Sequence, residues 1–307
     1  MSNYLTVSNM KKINRREFLY KGAAGIAGYA ALSAGFPVNE SIFPASGIDK
    51  VKLGNTGLTV SRVALGTGSG GWKKASNQTR LGMKQFVELS QYAYDKGIQF
   101  FDTADMYGSH PYVKEALKVI PRDKVTVLTK VMTYDQEGWY KTEPFKLSLD
   151  RFRKEVGTEY FDIMLLHCMM NDKWTEEYKR YMDDLSEAKQ KGIIKTIGVS
   201  CHNFDAMAEA AKNPWVDVLL ARINHQGPKM DGTPDKVMKV LETAHKNGKG
   251  VIGMKVFGMG ELISDDQREK SLNYVIKSGN VDCMTLGLES TDQIDDAVNR
   301  VMRIAKS

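Results

Sequence analysis

Cysteine and histidine are scarce in this sequence, and their scarcity excludes two classes of site. The chain has three cysteines, Cys168, Cys201 and Cys283, an odd and widely spaced set that does not predict a disulfide framework. It has no CxxC pair, and its five histidines form neither HxH nor HExxH. Those are the ligand patterns of zinc sites and of metal-dependent hydrolases. We therefore expect no metal.

A strong excess of one charge is also missing outside the first residues. The formal net charge is +6 over 307 residues, but residues 1–36 hold five basic side chains against one Glu, a net of +4. The remainder carries only +2 and no Lys/Arg stripe, so nucleic acid is not an expected partner. Apolar residues make up 42% and charged residues 26%, which is typical of a globular chain with a sizeable core.

Residues 1–46 have the pattern of an export leader followed by a linker. A basic segment, Asn14-Arg15-Arg16-Glu17-Phe18-Leu19-Tyr20-Lys21, precedes a Gly/Ala-rich run from Gly22 to Gly35. The run is too short to span a bilayer, so no stable membrane anchor is expected. Arg15-Arg16 with Phe18-Leu19 resembles the twin-arginine signal, which implies the twin-arginine export machinery as a partner and a periplasmic or exported location. The alternative is a cytosolic chain whose first helix begins with arginines.

Residues 47–307 show the pattern of a barrel of alternating strands and helices. The segment from Leu53 to Val60 predicts a tight hairpin with glycine turns. Eight short apolar runs, separated by amphipathic helices, then predict strands: Val63–Leu65, Phe100–Asp102, Val125–Thr129, Ile163–Leu166, Ile194–Val199, Val216–Ala221, Val251–Met254 and Cys283–Leu286. Eight such units over roughly 250 residues predict a (β/α)8 TIM barrel. The rival is a doubly wound open sheet, but no helix directly follows the glycine-rich segment from Gly66 to Gly71.

Barrel enzymes carry their chemistry at the carboxyl ends of the strands. The polar residues that end the predicted strands are Asp102, Lys130, His167, Ser200, Asn224 and Lys255. Tyr107 follows Asp102 by five residues. A lone lysine, histidine or tyrosine at such a place is usually a solvated or packed side chain. The combination is more specific, because Asp102, Tyr107, Lys130 and His167 follow three consecutive predicted strands.

Four segments together resemble the aldo-keto reductase family. They are Leu53 to Gly66, Asp102-Thr103-Ala104 with Tyr107-Gly108, Thr129-Lys130, and Leu165-Leu166-His167, and the similarity extends over the chain from residue 50 onward. The resemblance implies a nicotinamide-dependent carbonyl reductase or alcohol dehydrogenase that uses NAD or NADP. It also implies a catalytic tetrad in which Tyr107 is the general acid, Lys130 assists it, Asp102 holds Lys130 and His167 orients the carbonyl.

The resemblance and the residues that follow the strands together predict cofactor-binding positions. They are Gly66, Thr67, Gly68, Ser200, Asn203, Asn224, Lys255, Phe257, Gly258, Gly260, Glu289, Ser290 and Gln293. Gly258 and Gly260 would let backbone N–H groups approach an anion, and Ser290 to Gln293 has the spacing of a helix cap. The alternative is ordinary turn glycines and an ordinary cap. Two departures stand out: Leu220 occupies the family's glutamine position, and Lys255 that of the ring-stacking tyrosine. Glu289 occupies the place where relatives pair a basic residue with the 2′-phosphate of NADP. A carboxylate repels a phosphate and can accept from a ribose hydroxyl, so we expect NAD to be preferred.

Aromatic and methionine side chains in the predicted loops could wall a substrate pocket. They are Trp72, Met132, Trp139, Met170 and Trp174. The expected substrate is a small aldehyde, ketone or sugar-like carbonyl or alcohol. Two alternatives remain at this point: a non-catalytic dinucleotide-binding subunit on the same fold, and a redox-neutral, epimerase-like enzyme with a tightly held cofactor.

Overall fold

The structure is a computed structural model that describes residues 47–307. The predicted leader, residues 1–46, lies outside the described residues. Within the described range, no helix combines the length and the apolar character needed to cross a bilayer.

A two-stranded hairpin precedes the barrel, as the sequence predicted. Strands β1 (Lys50–Lys52) and β2 (Thr59–Ser61) pair antiparallel, with Lys50 opposite Ser61. The turn between them buries Leu53, which joins the cluster of apolar side chains inside the barrel. Asp282 ties this turn to the barrel, because its Oδ2 accepts from the N–H of Gly54 at 3.1 Å. The hairpin therefore covers the end of the barrel at which the strands begin.

Eight parallel strands form the closed barrel. They are β3 (Val63–Gly66), β4 (Phe100–Asp102), β5 (Thr126–Met132), β6 (Phe161–Met169), β7 (Ile194–Cys201), β8 (Val218–Arg222), β9 (Gly250–Met254) and β10 (Cys283–Leu286). Each strand pairs with the next, and β10 pairs with β3 to close the ring. The predicted (β/α)8 TIM barrel is confirmed.

Helices follow the strands and cover the outside of the barrel. They are α1 (Asn77–Arg80), α2 (Met83–Asp95), α3 (His110–Ala116), α4 (Phe145–Val156), α5 (Trp174–Glu177), α6 (Lys179–Gln190), α7 (Phe204–Lys212), α8 (Pro234–Lys246), α9 (Asp265–Lys277) and α10 (Thr291–Lys306). In α10, Ile294, Ala297, Val298 and Val301 repeat at helical spacing and are buried, so one face of this helix packs on the core.

Side chains alternate between the two faces of each strand, and this alternation separates core from site. On β5, Val127 and Val131 pack outward under the helices, whereas Leu128 joins the interior apolar cluster. The next interior position after Leu128 is Lys130. The interior layer thus changes from apolar to polar near the carboxyl ends of the strands, where a site can form.

Several predicted strands were too short at this polar end. The strands predicted to stop at Thr129, Leu166, Val199 and Ala221 continue to Met132, Met169, Cys201 and Arg222. Lys130, His167 and Ser200 therefore lie within strands rather than after them. The apolar pattern ends early because these interior positions carry functional polar groups, while the backbone ladder continues.

Candidate active site

A tight turn after β4 positions Tyr107. Asp105–Tyr107 forms a single 3-10 turn that ends at Gly108, whose φ is 64°. Only glycine adopts this left-handed conformation readily. A Cβ at Gly108 would also overlap the carbonyl oxygen of Lys74. The Asp-Thr-Ala-x-x-Tyr-Gly sequence therefore forms a tight turn that places a tyrosine next to the end of β4.

The four residues predicted as the tetrad come together at the carboxyl end of the barrel. Lys130 Nζ donates to Asp102 Oδ1, to the Thr103 carbonyl at 2.9 Å and to Tyr107 Oη at 3.3 Å. The rings of Tyr107 and His167 meet edge to face, with centroids 5.6 Å apart. Lys130 is only 1% exposed, and Asp102 and His167 are also buried. The ammonium of Lys130 is thus held between a carboxylate and the tyrosine hydroxyl.

Burial sets the protonation states of this group. It raises the pKa of Tyr107 to about 12, against the opposing effect of the Lys130 cation. Burial also works to lower the pKa of Lys130, but Asp102 and Tyr107 outweigh it, and the net shift is upward. Burial and the Lys130 charge lower the pKa of His167 well below its usual value. At neutral pH the site therefore holds a phenol, an ammonium and an uncharged imidazole.

The glycine-rich segment after β3 packs against Tyr107. A Cβ built on Gly68 would overlap the Tyr107 ring. Thr67 Oγ1 hydrogen-bonds the carbonyl of Asp102 at 2.9 Å and lies 2.8 Å from Ser109 Oγ. Gly66, the last residue of β3, pairs in register with Asp102. The structure thus places these three residues around the tetrad, and their cofactor contact stays a prediction.

A second charged group holds the Tyr107 turn from behind. Asp105 is 1% exposed. It accepts from both terminal nitrogens of Arg151 at 2.8 and 3.1 Å, from Lys74, and from Tyr140 Oη at 3.0 Å. Burial opposes ionisation, but Arg151 and Lys74 hold the pKa of Asp105 well below its usual range. The sequence interpretation quoted Asp105 within the motif without giving it a role.

Among the described residues, Asp105, His110 and Glu155 are the one His/Cys/Asp/Glu group close enough to hold a metal ion. The cation in this place is Arg151, which also pairs with Glu155 at 3.1 Å. His110 hydrogen-bonds Glu155 and Thr129 at 2.9 and 2.8 Å. The group is therefore already satisfied by protein partners.

The residues predicted to hold the nicotinamide differ in how free they are. Ser200 Oγ accepts from the N–H of Cys168 at 2.9 Å, which leaves the Ser200 hydroxyl proton for another partner. Asn203 is the N-cap of α7, and its Oδ1 accepts from the N–H of Ala206 at 3.0 Å. Asn224 is fully buried and uses both ends of its amide. Its Oδ1 accepts from the N–H of Gly227, and its Nδ2 donates to the carbonyls of Pro228 in the same loop and of Lys255 after β9.

The loop after β9 contains three successive left-handed residues. Gly258, Met259 and Gly260 have φ values of 57°, 55° and 92°. The N–H groups of both glycines donate within the loop, to the carbonyls of Lys255 at 2.8 Å and Phe257 at 3.0 Å. These two amides are therefore engaged, in contrast to the expectation that they approach an anion.

The segment after β10 is tied to the helix after β3. Glu289 Oε1 accepts from Asn77 Nδ2 at 2.8 Å. Ser290 is the N-cap of α10 and accepts from Gln293 N–H at 3.2 Å, while the Gln293 side chain accepts from Glu289 N–H at 2.8 Å. The predicted N-cap is present. In a capping box the Gln293 side chain would accept from the N–H of the N-cap Ser290, but here it accepts from the N–H of the preceding residue, Glu289.

The predicted pocket residues fall into exposed and buried members. Trp72 is 48% exposed and lies against Trp139, with ring centroids 4.9 Å apart, and Met170 is 52% exposed. Met132 is buried within β5 and packs with Met106 and Tyr140. Trp174, grouped with them from the sequence, is fully buried in α5 and donates to the Ala206 carbonyl at 3.3 Å. Trp174 is thus a core residue.

The sequence interpretation missed three polar residues at this face: Arg222, Asp231 and His202. Arg222 is the last residue of β8, at an interior position, and forms a salt bridge with Asp231 at 3.1 Å. His202 follows β7 and brings its Nε2 within 3.7 Å of Cys168 Sγ. Arg222 could have been found had the predicted strand ended one residue later, since it is then the polar residue at the strand end.

Comparison with known proteins agrees with this architecture. The family model of the aldo/keto reductase family matches residues 62–306. The chain is 32% identical to probable aldo-keto reductase 1 of Glycine max over 53% of this chain and 48% of the relative. It is 29% identical to the NADH-specific methylglyoxal reductase of Escherichia coli strain K12 over 56% and 58%. The chain spans about half the length of the curated relatives it matches.

The solved structures are similar over a larger share of the chain. The holo form of an aldo-keto reductase from Bacillus halodurans has a TM-score of 0.66 at 20% identity, covering 84% of this chain and 94% of that chain. At this identity the likeness concerns the fold. The family match, in contrast, extends over most of the sequence, and the protein belongs to the aldo/keto reductase family.

Proposed function

We propose that the protein is an NAD(P)-dependent carbonyl reductase or alcohol dehydrogenase that acts on a small aldehyde, ketone or sugar-like substrate. The observation that carries the proposal is the Tyr107 hydroxyl, 3.3 Å from a buried ammonium and beside a neutral imidazole. The tilted pair Trp72 and Trp139 and the exposed Met170 offer apolar surface for such a substrate near the same face.

Tyr107 acts as the proton donor. Hydride transfer to the carbonyl carbon, the chemistry that a reduced nicotinamide would supply here, leaves negative charge on the carbonyl oxygen that a proton must neutralise. With a pKa of about 12, Tyr107 carries its proton in the resting site. Lys130 keeps its charge because of Asp102, so it stabilises the tyrosinate left behind after proton transfer.

His167 orients the carbonyl. A neutral imidazole has one N–H donor and one acceptor nitrogen. Within residues 47–307, His167 Nδ1 is buried and has no hydrogen-bond partner. The ring packs edge to face against Tyr107, so an N–H of this imidazole would hydrogen-bond a substrate carbonyl oxygen and hold it against the proton donor.

The residues present fit a dinucleotide in part. Ser200 has a free hydroxyl proton for a carboxamide oxygen, and Lys255 stands at the end of β9 without a salt bridge from the rest of residues 47–307. Asn224 is already committed to backbone groups at both ends of its amide, whereas Asn203 uses only its Oδ1. Ser200, Lys255 and the loops from Phe257 and from Glu289 would therefore hold the cofactor.

The preference for NAD over NADP rests on Glu289. Asn77 holds this carboxylate at the mouth of the loop after β10, where it would face a 2′-phosphate. Two unit charges about 4 Å apart repel by on the order of 1 kcal/mol in water and by more when partly desolvated. The relative from Escherichia coli is described as NADH-specific, which agrees with this preference.

Replacement of Tyr107 tests the proposal. Tyr107→Phe should lower turnover on the best carbonyl substrate by about 10²- to 10⁴-fold, the usual contribution of a positioned acid, with dinucleotide affinity kept within a few-fold. Tyr94→Phe, on α2 and away from the tetrad, is the matched control and should keep wild-type turnover. Wild-type turnover in Tyr107→Phe would rule out this mechanism.

Two results with the wild-type protein would point to the other functions. Dinucleotide binding without turnover across a broad carbonyl panel would indicate a non-catalytic dinucleotide-binding subunit. Interconversion of hydroxyl epimers without net oxidation or reduction would indicate an epimerase-like enzyme with a tightly held cofactor.

We propose further that the protein is exported by the twin-arginine route. The support is Arg15-Arg16 followed by Phe18-Leu19 and a weakly apolar run. Changing both arginines to lysine should leave a full-length precursor in the cytoplasm, measured by fractionation. Equal export of the double-lysine variant would contradict the proposal.

A further inference from the structure

A second group of charged side chains lies beside the tetrad, at the ends of β7, β8 and β9. We define this cation cluster as Arg222 and Lys255, with Asp231 as its carboxylate and His202 as a neighbouring imidazole. Arg222 ends β8 and pairs in register with Met254, and Lys255 directly follows Met254. The two cations are therefore neighbours at the carboxyl ends of adjacent strands, at the same face as the tetrad.

The cluster carries more positive charge than its one carboxylate, Asp231, can balance. Asp231, 5% exposed, pairs with Arg222 Nη1 at 3.1 Å, but its Oδ2 and the Arg222 Nε are buried without a hydrogen-bond partner within residues 47–307. No salt bridge in the same range reaches Lys255. Two cations thus share one incompletely bonded carboxylate. A half-buried charge without a partner is costly, and a bound anion would offset that cost.

The pKa shifts of the side chains in the cluster agree with an excess of positive charge. Burial and the Arg222 charge lower the pKa of Lys255 to about 8. Burial together with Arg222 and Lys255 lowers the pKa of His202 to about 2, so His202 is neutral. Each cation disfavours further positive charge nearby, as expected at a site that is completed by an anion.

The cluster adjoins the residue that orients the carbonyl. The rings of His167 and His202 have centroids 6.5 Å apart, and His202 Nε2 lies 3.7 Å from Cys168 Sγ, the residue after His167. An anion held by Arg222 and Lys255 therefore belongs to a molecule bound at or next to the tetrad.

We propose that Arg222 and Lys255 form an oxyanion-binding subsite that takes a carboxylate or phosphate group of a molecule bound at the active site. The subsite rests on the proposed function for the identity of that molecule. The guanidinium offers a planar pair of donors and the ammonium a compact charge, a combination suited to carboxylate or phosphate oxygens. The group can come from an anionic substrate, such as a 2-oxo acid, or from the pyrophosphate of the dinucleotide.

Direct binding tests the subsite without requiring turnover. Isothermal titration with inorganic pyrophosphate and with pyruvate would be run on wild type, Lys255→Met, the charge-neutral pair Arg222→Met/Asp231→Asn, and the control Lys236→Met. Lys236 lies exposed on α8, so Lys236→Met removes one positive charge away from the cluster. Both cluster variants should bind at least one probe about tenfold more weakly, a typical loss for one charged hydrogen bond, while the control is unchanged. Equal affinity in all four proteins, or no binding to wild type, overturns the proposal.

Matched neutral ligands identify the source of the anion. If the dinucleotide supplies it, Lys255→Met weakens NADH but not reduced nicotinamide riboside, which is uncharged and lacks phosphate. If the substrate supplies it, the variant weakens pyruvate but not methyl pyruvate. An equal loss for the charged and the neutral partner of both pairs would show distortion of the site and overturn the subsite. A protein that binds anions yet reduces no carbonyl would refute the proposed function alone.

Discussion

The two sides of the barrel's carboxyl face differ in how their charged side chains are paired. At the ends of β4 to β6, Asp102 pairs with Lys130 and Asp105 pairs with Arg151. At the ends of β7 to β9, Arg222 shares one carboxylate with a neighbouring cation, and Lys255 has no salt bridge from within residues 47–307. The charged side chains of the first side are paired within the protein itself, while those of the second are completed by what it binds.

This difference separates two tasks. A proton donor must be aimed before the substrate arrives, because misplacement by about 1 Å can cost roughly 10²-fold in rate. Charges that already have partners give that rigidity. A binding subsite instead gains affinity when a ligand supplies the missing charge. Variants on the first side should therefore change turnover, and those on the second should change affinity.

The largest effect is expected where the first side is most tightly packed. Gly68→Ala places a Cβ in the Tyr107 ring, so the ring must move away from Lys130. Turnover should fall by about 10²-fold or more, a larger change than that in dinucleotide affinity. Steady-state kinetics and a binding titration measure the two quantities. Ser69→Ala, in the same loop, removes one hydrogen bond from Gln78 and adds no atoms, so it should keep most activity.

A smaller loss is expected from the charged group behind the turn. Asp105→Asn leaves Arg151 and Lys74 without their buried carboxylate and should lower the free energy of unfolding by about 3 kcal/mol, measured by urea denaturation. Turnover should fall about tenfold, since the Tyr107 turn loosens.

The control for this variant is Asp183→Asn, which breaks an exposed pair with Lys179 and should cost less than about 1 kcal/mol. Because the pKa of Asp105 is depressed in the folded state, its contribution is present above the ordinary carboxyl pKa of about 4 and is lost as the pH falls. Unchanged stability and turnover in Asp105→Asn would remove the contrast between the two sides.

On the second side, anion affinity should depend on pH. With a pKa of about 8, Lys255 is charged below that value, so the affinity for pyruvate, a carboxylate that stays ionised over this range, should be flat below about pH 8 and fall by up to tenfold per unit above it. The charged or titratable groups acting on Lys255 are Arg222, Cys168, Asp231 and Lys229. Burial raises the pKa of Cys168 to about 11, so this thiol stays neutral in the range tested. Lys255→Met should abolish the pH dependence.

The smallest effect is expected at the edge of the second side. Glu289→Arg should improve NADPH affinity by about three- to tenfold, since it replaces a repulsive charge with an attractive one in a partly exposed place. Asn77→Ala removes the hydrogen bond to Glu289 without changing any charge and should leave the cofactor preference as it is. Tighter binding of NADPH than of NADH by the wild type would contradict the expected preference.

Sequence pattern predicts this fold, and the meeting of Asp102, Lys130 and His167 at one face of it, because both depend on the strand ends. Asp102, Lys130 and His167 follow apolar interior positions, and the barrel brings such ends together. The pattern cannot show which polar groups turn back onto their own backbone. Asn203 caps a helix through its Oδ1, and Asn224 closes a loop with both ends of its amide. Arg222 was missed because its strand runs one residue further than its apolar residues do.

The hairpin described at the start of the fold has a kinetic consequence. With Leu53 filling the barrel floor, every ligand must enter and leave through the single mouth at the carboxyl ends. Cofactor and substrate then share one route, and the molecule that sits deeper must arrive first and depart last. Initial-rate studies should accordingly show a compulsory order of addition, with one product competing against the free enzyme's first ligand and the other product not.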